Sequence, residues 1–132
     1  GLISNTITNV PGSSEIFKGS IISYSNQSKI KLLNVDKKII NKFGAVSEQV
    51  ASLMSKNALK LFSSDYALSV TGIAGPSGGT KDKPVGLVYI GLSHKLKTEV
   101  KKFQFGNDRK INKIKTSQAS LNMLRRTILN DK

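Results

Sequence analysis

Cysteine and tryptophan are absent from this chain of 132 residues, and histidine occurs once, at position 94. Without cysteine, the chain forms neither a disulfide framework nor a thiolate metal site. A single histidine, His94, cannot build a histidine-based metal cluster alone. We therefore predict no metal site in this chain, and the isolated His94 is expected to be an exposed loop residue.

Long apolar runs are also missing. No segment approaches the roughly 20 apolar residues that a membrane helix needs. The N-terminus lacks the basic stretch and apolar core of a signal peptide. The hydrophobic fraction of 38% supports one modest core. We expect one cytoplasmic domain, residues 1–132, with no membrane partner.

Acidic residues are scarce: the chain has 8 of them and 21 basic residues, which gives a net charge of +13. Such a charge favours anionic ligands or nucleic acid. The basic residues are nevertheless spread along the chain, mostly where solvated faces or loops are expected. Aromatic residues make up only 6%, which supports base stacking poorly. A nucleic-acid surface is therefore the less favoured alternative to a general compositional bias.

The spacing of apolar residues alternates between helical and strand periods. It predicts an α/β fold in which helices pack on both faces of a mixed sheet, a three-layer α/β/α arrangement. The stretch between the second and third strands is too short for a helical crossover, so these two can pair antiparallel. The predicted helices are 2–10, one after Ser25, 37–43, 47–62 and one from Arg109; the predicted strands are 20–24, 66–71, 85–92 and 101–105. In the last helix, the predicted core face is Ile111, Ile114, Leu121, Leu124 and Ile128.

A glycine-rich segment, Thr-Gly-Ile-Ala-Gly-Pro-Ser-Gly-Gly-Thr, occupies residues 71–80. Glycine permits positive φ and a close approach of backbone N–H groups to an anion. The segment follows a predicted strand, where ligands of open α/β sheets tend to bind. It matches neither a Walker loop nor a dinucleotide fingerprint. On these grounds a ligand loop and a structural loop are equally supported.

Two further pairs are candidates for chemistry. Tyr24 ends a predicted strand and Lys29 lies in the first turn of the next helix, so both can face one crevice. Burial there would lower the lysine pKa and leave a neutral amine that can act as a base. Arg109 and Lys113 share one face at the start of the last helix, where an anion can bind. From spacing alone, a packed tyrosine and solvated cations are favoured, with Asp108 as a helix cap.

The motifs gain specificity when they are taken in order. This succession resembles the CinA C-terminal domain family of nicotinamide mononucleotide amidases, and it extends from Gly1 to the last helix. The motifs are Pro11-Gly12-Ser13-Ser14, Tyr24-Ser25-Asn26 with Lys29, Gly44-Ala45-Val46-Ser47-Glu48, Thr71 to Pro76 with Gly78-Gly79, Lys83-Pro84-Val85-Gly86 and Asp108-Arg109.

The resemblance implies hydrolysis of nicotinamide mononucleotide to nicotinic acid mononucleotide and ammonia, with no metal and no cofactor. It implies that Lys29 activates a serine nucleophile and that Tyr24 assists. It also implies that the glycine-rich loop lines the pocket for a small-molecule nucleotide and that Arg109 contacts the phosphate. The loop residues that match are Gly72, Ala74, Gly75, Gly78 and Gly79.

Two positions depart from the family pattern. The family signature Glu-Ser-Cys-Thr-Gly-Gly would end at Gly1, which places its serine, strand and first helix before this residue. Asn107 stands where the family has the glycine of Gly-Asp-Arg, which affects the expected placement of Arg109. Without that family strand, the neighbouring backbone would lack hydrogen-bond partners, so we expect lower stability or a homo-oligomer that covers the gap. Three hypotheses follow: an amidase, an inactive domain that binds a nucleotide, and a basic nucleic-acid-binding module.

Overall fold

A computed structural model describes residues 1–95 and 97–131 of the chain. Within these residues, five helices and three strands follow one another in the order α1, α2, α3, α4, β1, β2, β3, α5. The helices are α1 (Leu2–Thr8), α2 (Asn26–Leu33), α3 (Lys37–Phe43), α4 (Glu48–Phe62) and α5 (Arg109–Asn130), and the strands are β1 (Tyr66–Gly72), β2 (Leu87–His94) and β3 (Lys97–Gln104). A 3-10 turn at Ser13–Glu15 follows α1.

Side-chain caps fix where α2, α4 and α5 begin, as Asp36 does for α3. The Ser25 hydroxyl accepts the N–H of Ser28, and the Ser28 hydroxyl in turn accepts the N–H of Ser25, so that α2 opens with a reciprocal capping box. Ser47 caps α4, and Asp108 caps α5 by accepting the N–H of Ile111 at 2.8 Å. These three residues are the caps that the sequence predicts.

The sheet has the order β1-β2-β3, and β2 lies at its centre. Alternate residues point to opposite faces of the sheet. One face carries aliphatic side chains that pack with Met123 of α5: Leu68, Val70, Val88, Ile90 and Leu92. The opposite face lies against α4. The three-layer α/β/α arrangement is therefore confirmed.

Small side chains let α4 approach the sheet closely. A Cβ placed on Gly91 would lie 2.7 Å from the carbonyl oxygen of Ala51 and 2.6 Å from the hydroxyl of Ser69. The Ser69 hydroxyl donates to that same Ala51 carbonyl at 2.6 Å. The hydroxyls of Ser55 and Ser93 are 2.8 Å apart across the interface. The contact is thus held by hydrogen bonds between buried polar groups as well as by packing.

The strand predicted at Ser20–Tyr24 is wrong. This segment belongs to no ladder, and the described sheet is antiparallel throughout instead of mixed. Its backbone groups bond locally: the Tyr24 N–H donates to the Ile22 carbonyl at 3.0 Å, and the Ser23 carbonyl accepts from Lys29 Nζ. A short apolar run predicts a strand only where a neighbouring strand supplies the hydrogen bonds.

The predicted core face of α5 is wrong in its first half. Ile111 and Ile114 are 49% and 42% exposed. The buried positions are Asn112, Thr116, Ser117, Ser120 and Met123. Hydroxyl side chains can be buried here because they bond to their own helix: Thr116 Oγ1 donates to the Asn112 carbonyl at 2.7 Å and Ser120 Oγ to that of Thr116 at 2.8 Å. Leu121, Leu124 and Ile128 are half-buried, as expected.

The expectation of an exposed loop position for His94 is also wrong. This residue ends β2 and pairs with Tyr66 in the ladder, and the two rings stack with centroids 5.6 Å apart. His94 Nδ1 lies 3.0 Å from Asp131 Oδ2, which also accepts the Tyr66 hydroxyl at 3.0 Å. That hydrogen bond raises the pKa of Tyr66 because it stabilises the protonated phenol. No helix in the described parts of the chain is long and apolar enough to cross a bilayer.

Candidate functional site

The first turns of α2 bury a lysine. The capping box at Ser25 starts the helix so that Lys29 faces inward, and its side chain is only 7% exposed. Lys29 Nζ donates to the Ser23 carbonyl at 2.8 Å and lies 3.5 Å from the Tyr24 carbonyl. Among residues 1–95 and 97–131, no carboxylate forms an ion pair with it. Burial lowers the pKa of Lys29 below its usual 10.5, because the charged amine loses solvation without gaining an opposite charge.

Arg109 joins the segment before α2 to the glycine-rich loop. Its Nη2 donates to the Tyr24 hydroxyl at 3.2 Å, and its Nη1 donates to the Gly75 carbonyl at 3.0 Å. Tyr24 is 81% exposed, so its hydroxyl and the Arg109 guanidinium that contacts it both border solvent. One guanidinium therefore connects residues that are 34 and 85 positions away in the sequence.

The glycine-rich loop connects β1 to β2, and two backbone hydrogen bonds join its two ends. The Ile73 N–H donates to the Leu87 carbonyl at 2.9 Å, and the Gly86 N–H donates back to the Ile73 carbonyl at 2.8 Å. Gly75 is buried at φ +86°, and a Cβ there would collide with Cγ1 of Val85. Gly75 is required by its backbone angle and by its surroundings alike.

The other loop residues differ in what surrounds them. Gly78 also has a positive φ, +88°, but nothing lies closer than 4.0 Å to its Cβ position. At Gly72 and Gly79, Cβ atoms would meet neighbouring backbone at 2.9 and 2.7 Å. Ala74 is half-buried, and its carbonyl accepts a hydrogen bond from α5. The rear of the loop is thus fixed, while Gly78 faces open space.

The far side of the loop is tied to the end of α3. Lys83 Nζ donates to the Phe43 carbonyl at 2.5 Å, next to the left-handed Gly44. The Thr71 hydroxyl donates to the Ala45 carbonyl at 2.7 Å. The Lys83-Pro84 motif therefore lies next to the Gly44-Ala45 motif, and Ala45 in turn is bonded to the end of β1.

The structure brings most of the predicted site residues into one set of contacts, which we call the loop cluster: Tyr24, Lys29, residues 72–79 and Arg109. Lys113, predicted to share the anion-binding face with Arg109, is exposed and makes no described hydrogen bond or ion pair. Asn107 is accommodated because its φ is not positive, so Arg109 reaches the loop without a glycine before Asp108. No three histidine, aspartate or glutamate side chains of the described residues come together as metal ligands.

A comparison with models of protein families shows to which family the chain belongs. The model of the CinA C-terminal domain matches residues 1–128. The chain belongs to the CinA C-terminal domain family. A CinA-like protein of Endomicrobium trichonymphae is 53% identical over 129 residues, which cover 98% of this chain and 30% of that relative. A putative competence-damage inducible protein of Caldicellulosiruptor bescii is also 53% identical and is covered over 31% of its length. The chain therefore spans about a third of the curated relatives that it matches.

Solved structures of the CinA superfamily have the same fold. The competence/damage inducible protein CihA of Agrobacterium tumefaciens superposes with a TM-score of 0.93 at 34% identity, over 96% of this chain and 78% of that one. The competence damage-inducible protein A of Klebsiella pneumoniae gives a TM-score of 0.93 at 26% identity, over 98% and 80%. The predicted family and the predicted fold class are both confirmed.

One further residue contacts the loop cluster of this CinA domain and was not predicted from the sequence. Asn112, three residues after Arg109, is 2% exposed and donates to the carbonyls of Ala74 and Gly106, each at 2.9 Å. Positions i and i+3 share a helix face, so the spacing to Arg109 was the available signal. Its polar character concealed it, because buried helix positions are expected to be apolar.

Proposed function

We propose that this CinA domain hydrolyses the amide of nicotinamide mononucleotide, releasing ammonia and nicotinic acid mononucleotide. The observation that carries the proposal is Lys29: an amine 7% exposed, without a carboxylate partner among the described residues, bonded to the Ser23 carbonyl next to Tyr24. A lysine acts as a general base only when its pKa falls toward neutrality. The lowered pKa of Lys29 is in that direction.

An amide is a weak electrophile, so the reaction needs an activated nucleophile. By family resemblance this is a serine that precedes Gly1. Gly1 lies beside Ile22: its Cβ position is 3.3 Å from Ile22 Cδ1. The adjacent Ser23 carries the carbonyl that holds Lys29 Nζ. A serine shortly before Gly1 would thus lie on the side of the cluster that holds the amine that we propose to accept its proton.

The remaining requirements are charge stabilisation at the oxyanion and at the substrate phosphate. Backbone N–H groups of a glycine-rich loop suit an oxyanion, because they are fixed dipoles that need no reorganisation. Arg109 supplies a guanidinium at the solvent border, where a phosphate can form paired hydrogen bonds. At Gly78 the loop leaves space for a ligand against its backbone. These features support a mononucleotide as the substrate class.

Ammonia release from nicotinamide mononucleotide tests the proposal. The assay compares this chain with a version extended upstream so that Ser-Cys-Thr-Gly precedes Gly1. We expect activity in the extended protein and its loss in the same protein carrying Lys29→Met. Serine-to-alanine replacement in the added segment serves as the matched control for the nucleophile.

Binding measurements separate the alternatives. Nucleotide binding without ammonia release in the extended protein would contradict the amidase and favour an inactive binding domain. If the +13 charge serves a nucleic-acid surface instead, DNA or RNA affinity should fall steeply between about 50 and 200 mM salt.

A further inference from the structure

Asn112 joins two separate backbone segments from inside the protein. Its Nδ2 donates to the Ala74 carbonyl at 2.9 Å and to the Gly106 carbonyl at 2.9 Å. Because both neighbours are acceptors, the amide nitrogen must face them, and the orientation of the side chain is fixed by chemistry. The residue thus links the glycine-rich loop to the turn that begins α5.

This arrangement leaves the other half of the amide without a partner. Asn112 Oδ1 is buried and has no hydrogen bond within the described residues. A buried unpaired acceptor is unfavourable, and an aliphatic side chain would fill the same space without it. Asparagine at this position is therefore poorly explained by packing, and well explained by its two donated hydrogen bonds.

The bond to Ala74 determines the direction of the next amide. In the trans peptide between Ala74 and Gly75, the C=O and the N–H point in opposite directions. When Asn112 draws the Ala74 carbonyl toward α5, the Gly75 N–H is aimed away from it. That N–H makes no hydrogen bond with any described residue, although Gly75 is buried. Buried N–H groups are rarely left unpaired.

We infer that Asn112 is a positioning residue that aims the Gly75 N–H at an anionic oxygen of the bound ligand. Arg109 fixes the following carbonyl, that of Gly75, so that this one loop residue is held on both sides from α5. The identity of the oxygen rests on the proposed function, since an oxyanion or a phosphate offers the same acceptor. The fixed direction of the N–H does not rest on it.

The test compares ¹⁵N relaxation of the Gly75 amide in the wild type and in variants of similar size. Asn112→Leu keeps the number and branching of the side-chain heavy atoms and removes both N–H donors. Asn112→Asp also removes them at neutral pH, but the introduced carboxyl group can donate one hydrogen bond once it is protonated. Ser120→Ala is the matched control, because Ser120 is fully buried on the same face of α5 and bonds only within the helix.

We expect a backbone ¹⁵N order parameter of about 0.85 for Gly75 in the wild type and in Ser120→Ala, and of about 0.6 in Asn112→Leu. Asn112→Asp should resemble Asn112→Leu at neutral pH and recover as the pH is lowered. This recovery would show that the donated hydrogen bond, and not the bulk of the side chain, holds the Gly75 amide. An unchanged order parameter in Asn112→Leu, or loosening in Asn112→Asp that ignores pH, would overturn the inference.

A titration with nicotinamide mononucleotide supplies the second readout. In the wild type the Gly75 amide resonance should shift on binding, and Asn112→Leu should weaken binding about tenfold while Ser120→Ala does not. Wild-type protein with a rigid, Asn112-dependent Gly75 and no response to the nucleotide would refute the proposed ligand and leave the positioning role intact. Binding of equal strength in Asn112→Leu and wild type would refute the role itself.

Discussion

Replacing Lys29 with methionine gives a sharp test of the buried amine. The side chains are similar in length, so the change removes a charge and a donor with little loss of volume. Two opposing effects on stability follow. The buried Ser23 carbonyl loses its partner at 2.8 Å, which costs about 1–3 kcal/mol. The desolvation of the amine that lowers the Lys29 pKa disappears, which favours the variant.

The pH dependence separates these two effects, because only the second depends on protonation. The folded-state pKa of Lys29 lies below the ordinary value of 10.5. Between the two pKa values the unfolded chain binds more protons than the folded one, so the unfolding free energy of the wild type rises with pH. Below the folded-state pKa and above 10.5 the contribution of Lys29 is constant. The slope within the window cannot exceed about 1.4 kcal/mol per pH unit for one proton.

The assay is urea unfolding of wild type and Lys29→Met across a series of pH values up to about 10.5. We expect the wild type to gain stability relative to the variant as the pH rises, since other titrating groups contribute equally to both. Lys31→Met, at an exposed position of the same helix, controls for the loss of one positive charge. Parallel curves for wild type and Lys29→Met would show that the amine is solvated in solution and would remove the basis for its role as a base. In the extended, active protein, Lys29→Met should reduce turnover about 10²- to 10⁴-fold.

Three further predictions concern the loop cluster and the packing behind it. Arg109→Gln should weaken nucleotide binding about tenfold by calorimetry, while Lys110→Gln, an exposed neighbour, should leave it unchanged. Gly75→Ala should lower the unfolding free energy by about 1–2 kcal/mol for backbone strain and by a further 1–3 kcal/mol or so for the collision described above. Gly78→Ala should show only the first effect, and equal losses at both positions would contradict the surroundings seen here. Gly91→Ala should cost about 1–3 kcal/mol in a thermal or urea melt by forcing α4 from the sheet, and a neutral result would show that this interface is not tightly packed.

The sequence predicts the order of elements well because local signals are strong. Ser25, Ser47 and Asp108 occur where helix caps are expected, and each one caps a helix in the structure. The strand predicted at Ser20–Tyr24 is wrong because strands depend on distant partners, which no local pattern contains. The position of His94 was missed for the same reason: its environment is built by Tyr66 and Asp131, residues far away in the sequence.

The loop cluster divides in a similar way. The family resemblance implies one site for Tyr24, Arg109 and the glycine-rich loop, and the structure brings these residues into contact, but the resemblance does not reveal which atoms meet. The contacts run from side chains to backbone carbonyls, as in Arg109 to Gly75 and Lys29 to Ser23. Such partners leave no trace in residue identity, since every residue has a carbonyl. Asn112 was missed for this reason.

The small polar residues of α5 connect packing with the site. Thr116 and Ser120 are buried without distant partners because their hydroxyls bond to helix carbonyls one turn back. Asn112, one turn before Thr116 on the same face, has too long a reach for that bond and extends to the loop instead. A helix face with such small polar side chains can lie close to neighbouring backbone, and one of its residues can donate hydrogen bonds to that backbone. These buried polar residues reduce the apolar character of α5, and a prediction from hydrophobic periodicity therefore assigns the wrong face to the core. The same residues let the first turn of α5 contact the loop and hold its conformation.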